Sequence, residues 1–155
     1  MSLIIQEIKI LLYIKTEIMN KLNLFLFLLM YSALAFSSPE VYFISPKNGE
    51  VVNSPVTVKF GLKGYGIAPA GINFPETGHH HLLVNLTELP DLKSSIPADE
   101  NHIHFGKGQT ETLLELKPGE YSFQLLLGDW MHVPHNPPIL SCLLYTSPSP
   151  RDSFR

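Results

Sequence analysis

Through the middle of this chain apolar and polar residues alternate with a period of two, and nowhere in that stretch does a helical spacing of apolar residues persist. Alternation of this kind marks half-buried strands. In segment 55–62, Val56, Val58, Phe60 and Leu62 share one face while Thr57 and Lys59 occupy the other, the pattern of a strand with one solvated side. Before it, the apolar run Val41-Tyr42-Phe43-Ile44 is closed by Ser45-Pro46-Lys47-Asn48-Gly49, a turn in which Pro46 presets φ and Asn48-Gly49 tolerates positive φ. His79 to Asn85 predicts a third strand, with His80, Leu82, Val84 and Leu86 on one face and His79, His81, Leu83 and Asn85 on the other. A short strand at His102 to Phe105 has both histidines on one face and Ile103 and Phe105 on the other. Turns at Gly106-Lys107-Gly108 and Lys117-Pro118-Gly119-Glu120 lead into strands at 109–116 and 121–127, the last with Tyr121, Phe123, Leu125 and Leu127 on one face. Ile139-Leu140 looks like the start of a further strand. The intervening stretches 63–78, 89–101 and 128–138 are punctuated by glycine and proline and read as loops.

Six or seven short strands in about 100 residues predict an all-β fold, an antiparallel β-sandwich of immunoglobulin-like type. A small cupin or jelly-roll-like barrel is the alternative. The missing Cys…Trp…Cys pattern excludes a true antibody-type domain.

The ends of the chain differ from this middle. From Met19, MNKLNLFLFLLMYSALAFSSPE has a short basic start at Lys21, an apolar run over 22–31, and small residues at Ala33-Leu34-Ala35 and Ala35-Phe36-Ser37. This is the form of a secretory signal peptide, spanning 19–37, and it predicts export to a periplasmic or extracellular location with a mature start near Phe36 or Ser38. The apolar run is shorter than the ~20 residues a membrane-spanning helix needs, so no membrane span is expected after cleavage. Residues 1–18 carry Glu7 and Glu17, which do not suit a basic leader, and are expected to be a spurious upstream extension. At the other end, Cys142 to Asp152 (CLLYTSPSPRD) reads as a translated sequencing-library adapter, so residues 142–155 are expected to be non-native and the closing strand to be missing. The domain proper is then 38–141.

Composition sharpens this picture. Over the whole chain the net charge is −3 with one cysteine, Cys142, and seven histidines. Within 38–141 there are six lysines, no arginine and eleven carboxylates, a net charge of −5. An acidic domain without arginine is a poor nucleic-acid binder. A single cysteine excludes an internal disulfide framework and a CxxC metal site.

All seven histidines lie between His79 and His135, in three motifs: His79-His80-His81, His102-x-His104 and His132-x-x-His135. On a strand, residues i and i+2 project from one face about 6–7 Å apart, so His79/His81 and His102/His104 form same-face pairs. Were the two strands neighbours, cross-strand Cβ separations of about 4.5–5.5 Å would gather several imidazoles at one point. Zinc or copper suits such a set of nitrogen ligands. His132 and His135, on a proline-stiffened loop, could complete that site or form another. Asp129 and Glu111 are candidate carboxylates for orienting a ring N–H. His80 falls on the apolar face and is expected to be a hydrogen-bonded core histidine. In the competing reading the other histidines form a polar network satisfied by backbone carbonyls and carboxylates. Trp130 and Met131 are expected to pack beneath the histidine loop, and exposure as a ligand-lining surface is the alternative. The chain shows no nucleophile elbow, phosphate-cradling loop or acid/base carboxylate pair.

Several motifs in the same order, VYFISPKNGEVVNSPVTVKFGLKG, GIAPAG, TGHHHLLV, IPADENHIHFGKGQTETLLELKPGEYSFQLLLGD and HVPHNPP, resemble the bacterial domain-of-unknown-function family 4399 over Val41 to Ser141. The resemblance implies a small exported β domain in which the histidine motifs belong to the family pattern, and it supplies no ligand. Three functions follow for comparison: an exported module binding copper or zinc, a structural or interaction domain of the cell envelope, and a cupin-like metalloenzyme, which would need an open coordination position and which nothing in the sequence requires.

Overall fold

Strand by strand, the period-two pattern becomes a pattern of burial. In a computed structural model, which describes residues 2–32 and 38–149, Val56, Val58 and Phe60 of strand β3 (Val56–Lys63) are buried while Thr57 and Lys59 are exposed. The chain divides into two units, 1–37 and 38–155. The first contains the helix α1 (Ser2–Ser32), which runs unbroken through the boundary between the two apolar stretches and carries a Glu17–Lys21 ion pair one turn apart. Among the described residues no helix is long and apolar enough to cross a membrane. The small-residue cleavage motif at 33–37 lies outside the described residues.

In the second unit every strand expected between 41 and 127 is present. β1 (Glu40–Ser45), β3 and β7 (Glu111–Leu114) form a three-stranded antiparallel sheet in the order β1-β3-β7. The second sheet contains β5 (Thr77–Val84), β6 (His102–His104) and β8 (Tyr121–Gly128), together with three elements that the alternation did not reveal: β2 (Val51–Val52), β4 (Gly66–Ile67) and β9 (Leu144–Pro148). Its order is β2-β9-β8-β5-β4, with β6 also on β5. β5 therefore gives one edge to β8, and shares the other between β4 at its start and β6 near its end.

The two sheets face each other across one apolar layer. Val41, Val58 and Phe60 from the first meet Leu82, Phe123, Leu125, Leu127 and Leu144 from the second. This is a β-sandwich, and the described sheets do not close into the barrel that was the alternative. The other face of β5 and β8 is covered as well. Leu83, Leu126 and Ile96 form a second small core, with Leu86, Leu92 and Leu140 packed against it. β5 is consequently buried along Gly78–Val84 on both faces.

Where the sequence reading leaves a gap after Ser141, the structure has a strand. Leu144, Thr146 and Pro148 alternate inward with Tyr145 outward, and β9 pairs antiparallel with β8 and parallel with β2. Asn48 Oδ1 accepts the Tyr145 N–H at 2.9 Å, and Thr146 Oγ1 donates to the Glu50 carbonyl at 2.7 Å. The tail carries the alternation of a strand, which is enough to fill the free edge of β8.

Phe123 is fully buried between the sheets. Phe123→Ala should destabilise the domain by about 3–5 kcal/mol, through lost burial and a residual cavity, as read from the midpoint of urea unfolding.

Candidate metal centre

Strand register decides which histidines meet. In the β5/β6 ladder His81 stands directly opposite His104, Leu82 opposite Ile103 and Leu83 opposite His102. The alternation along β5 puts His79 beside His81 on the same face, so three imidazoles converge. Their ring nitrogens offer one ligand atom each within 4.8 Å of one another. His132, from the loop after β8, brings a fourth ring: its centroid lies 4.6 Å from that of His104, 5.0 Å from His79 and 6.0 Å from His81.

Both ring nitrogens of His79 and of His81, and Nε2 of His104, are buried without a hydrogen-bond partner in the protein. A buried polar atom in that condition costs about 1–3 kcal/mol. The network reading expected backbone carbonyls or carboxylates there; the His79 backbone comes near the His81 ring and works to raise its pKa, but no well-formed protein hydrogen bond reaches these nitrogens. Burial lowers the His79 pKa to about 4, helped by His104 and His132 and opposed by Asp129. Burial lowers His81 further, to about 3, with His79, His104 and His132 adding to the effect. His104 is shifted down by burial and by His132. These rings are neutral near pH 7, the form that binds a metal ion, so protons compete little for them.

Room for the rings comes from glycines, which a search for ligand residues passes over. A Cβ at Gly128 would lie 2.7 Å from His81 Cε1, and one at Gly106 would collide with the His104 ring. Both positions are glycine for space, since neither has positive φ.

Several expected participants lie elsewhere. His102 is on the anticipated face but one pair further along β6, opposite Leu83, and its Nδ1 lies 2.8 Å from Asp99 Oδ1. That hydrogen bond, with the Asn101 N–H, holds the Asp99 carboxyl below its usual range. His135 stacks edge-on against Tyr65 at 5.2 Å rather than joining the group, and its buried Nε2 has no protein partner. Glu111 is on the three-stranded sheet, ion-paired with Lys59 at 3.4 Å, so it does not orient a cluster ring. Asp129 is beside the cluster but acts on the backbone: its Oδ1 accepts the N–H groups of Met131 and Val133 at 2.8 and 2.9 Å. His80 is a core residue as expected, edge-on to Phe60 at 4.7 Å, yet neither of its nitrogens is hydrogen-bonded. Its pKa is lowered to about 4 by burial alone. Trp130 and Met131 are not packed under the loop; they are 39% and 51% exposed.

The fold and site together define a β-sandwich domain with a buried imidazole cluster on its central strand. The family model for a domain of unknown function, DUF4399, matches residues 58–145, more than half of the chain and all of the histidine motifs. The chain belongs to that family. No curated protein and no solved structure matches it.

Two outcomes follow. In the metal-free protein well above pH 6.5, His79, His80 and His81 are neutral whether the chain is folded or unfolded. Below it the unfolded chain takes up protons that buried His79, His80 and His81 refuse. Stability should therefore fall as the pH drops from 6.5 towards 4, by about 1.4 kcal/mol per pH unit for each such group, measured by urea unfolding across that range. Independently, Gly106→Ala should push the His104 ring out of place and cost about 1–3 kcal/mol of stability at pH 7.5, read from the same type of titration.

Proposed function

We propose that this chain is an exported domain that binds a zinc or copper ion through His79, His81 and His104, with His132 beside them. The observation that carries this reading is the convergence of three ring nitrogens within 4.8 Å, with His79 and His81 buried and His104 at the more open side, and with no well-formed protein hydrogen bond to the buried nitrogens. A sheet that buries imidazoles without hydrogen bonds is destabilised by each of them, and coordination of a metal offsets that cost. All-nitrogen donors without thiolate suit zinc and copper. Export rests on the signal-like segment over 19–37, with its basic start and short apolar run.

A second reading, an interaction domain of the cell envelope, is favoured by the exposed apolar residues Trp130 and Met131 and by Ile72 and Phe74 on a neighbouring loop, joined through the Gly71 N–H to the Trp130 carbonyl. The two readings separate on metal content.

Purified without chelator, the protein should carry zinc or copper detectable by elemental analysis. Returning metal to the stripped protein should raise the unfolding temperature, with about 2.7 kcal/mol of stabilisation at a free concentration 100-fold above Kd. His81→Ala combined with His104→Ala should abolish both effects. Absence of bound metal and of any metal-dependent shift in the wild-type chain would overturn the proposal.

A further inference from the structure

Six ring-to-ring separations fix the shape of the cluster. For His79, His81, His104 and His132 they are 4.9, 5.0 and 5.0 Å among the three sheet residues, and 5.0, 6.0 and 4.6 Å from each of these to His132. A square-planar set of ligands requires the four rings to be coplanar; with the other five distances kept, His81 and His132 would then be about 8 Å apart. They are 6.0 Å apart. The four centroids are thus the corners of a slightly stretched tetrahedron.

The size of the tetrahedron fits too. The point equidistant from its corners lies about 3.2 Å from each centroid, and a metal–nitrogen bond of about 2.0–2.1 Å plus roughly 1.1 Å from ring nitrogen to ring centre puts an ion at about the same distance. His79, His81 and His104 already offer one ring nitrogen each within 4.8 Å of one another, and closing the set requires the His132 ring to turn a nitrogen towards that point.

His132 reaches its corner at a conformational cost. Its φ is +67°, in the left-handed region that non-glycine residues occupy at about 1–3 kcal/mol. The loop holds it there. The Asp129 carbonyl accepts the His132 N–H, the Asp129 N–H donates to Val133, and the Ile96 N–H donates to the His132 carbonyl. Asp129 Oδ1 grips the Met131 and Val133 N–H groups on either side.

We infer that His132 is the fourth protein ligand of a closed tetrahedral four-imidazole zinc centre. This rests on the metal-binding reading and goes beyond it in two respects. Zinc, a d¹⁰ ion without geometric preference of its own, accepts this shape, whereas Cu²⁺ favours a tetragonal one. Four protein ligands also fill the coordination sphere, which makes the centre structural and leaves no position for the bound water a metalloenzyme needs.

Cobalt substitution of the whole protein tests the inference separately from metal binding itself. Co²⁺ in the wild-type chain should show the intense visible absorption of a four-coordinate ion, unchanged by added azide. His132→Gly removes the ring and relaxes the positive φ, so the metal-free variant should be at least as stable as wild type. Its Co²⁺ spectrum should shift with azide, and its Zn²⁺ affinity should drop more than about 100-fold, beyond what loss of an outer hydrogen-bond partner costs. Weak six-coordinate absorption in wild type, an azide response in wild type, or a His132→Gly spectrum identical to wild type would each overturn the four-ligand centre while leaving metal binding standing. Uptake of copper but of neither Co²⁺ nor Zn²⁺ would overturn the zinc centre and leave metal binding standing, and failure to take up any of the three would overturn both.

Discussion

The structure depends on one strand that is buried on both faces. β5 is hydrogen-bonded along both edges, to β8 on one side and to β4 and β6 on the other, and it faces the main apolar layer with Leu82 and Val84 and the second small core with Leu83. A strand in that position is ordinarily a continuous run of aliphatic residues. Here it opens with Thr-Gly-His-His-His, so three titratable rings are placed where water does not reach. What surrounds them follows from that constraint: glycine at 106 and 128 to give the rings space, and a loop from β8 that bends back to cover them.

Burying these rings works against stability in the absence of a ligand and for affinity in its presence. The same desolvation that depresses their pKa values removes the competing water and protons from a metal's path. His80, one residue away but turned to the opposite face, shows the contrast: it is buried edge-on against Phe60 and is not part of the imidazole group. Two adjacent histidines thus differ in chemistry solely through the alternation of a strand.

Much of this was legible in the sequence because it obeys local rules. Alternation located β3, β5, β6 and β8 with their faces, an apolar run and turn signals located β1 and β7, and the i, i+2 spacing of His79/His81 and of His102/His104 put the pairs on common faces. Other features depend on the tertiary register, which spacing does not encode. His104 rather than His102 joins the cluster because His81 is opposite it, and Glu111 is excluded because β7 belongs to the other sheet. β2 and β4, with two residues each, are too short to show a period. The role of Gly106 and Gly128 is invisible in sequence because it consists of an absent Cβ. The left-handed backbone at His132 is imposed by hydrogen bonds to residues as distant as Ile96.

The pairing of β9 has a kinetic meaning. Its bonds to Asn48 and Glu50 join residues 97 and 96 positions apart, nearly the full span of the domain. Closing so long a loop forfeits chain entropy before any contact rewards it, and β topologies rich in such pairings fold slowly. Until that closure the Tyr121–Phe123 end of β8 presents an open edge that carries the core residue Phe123, while the rest of that edge is bonded to residues 139–141. The hazard during folding is therefore edge-to-edge association through β8, and the last strand acts as the cap that ends it.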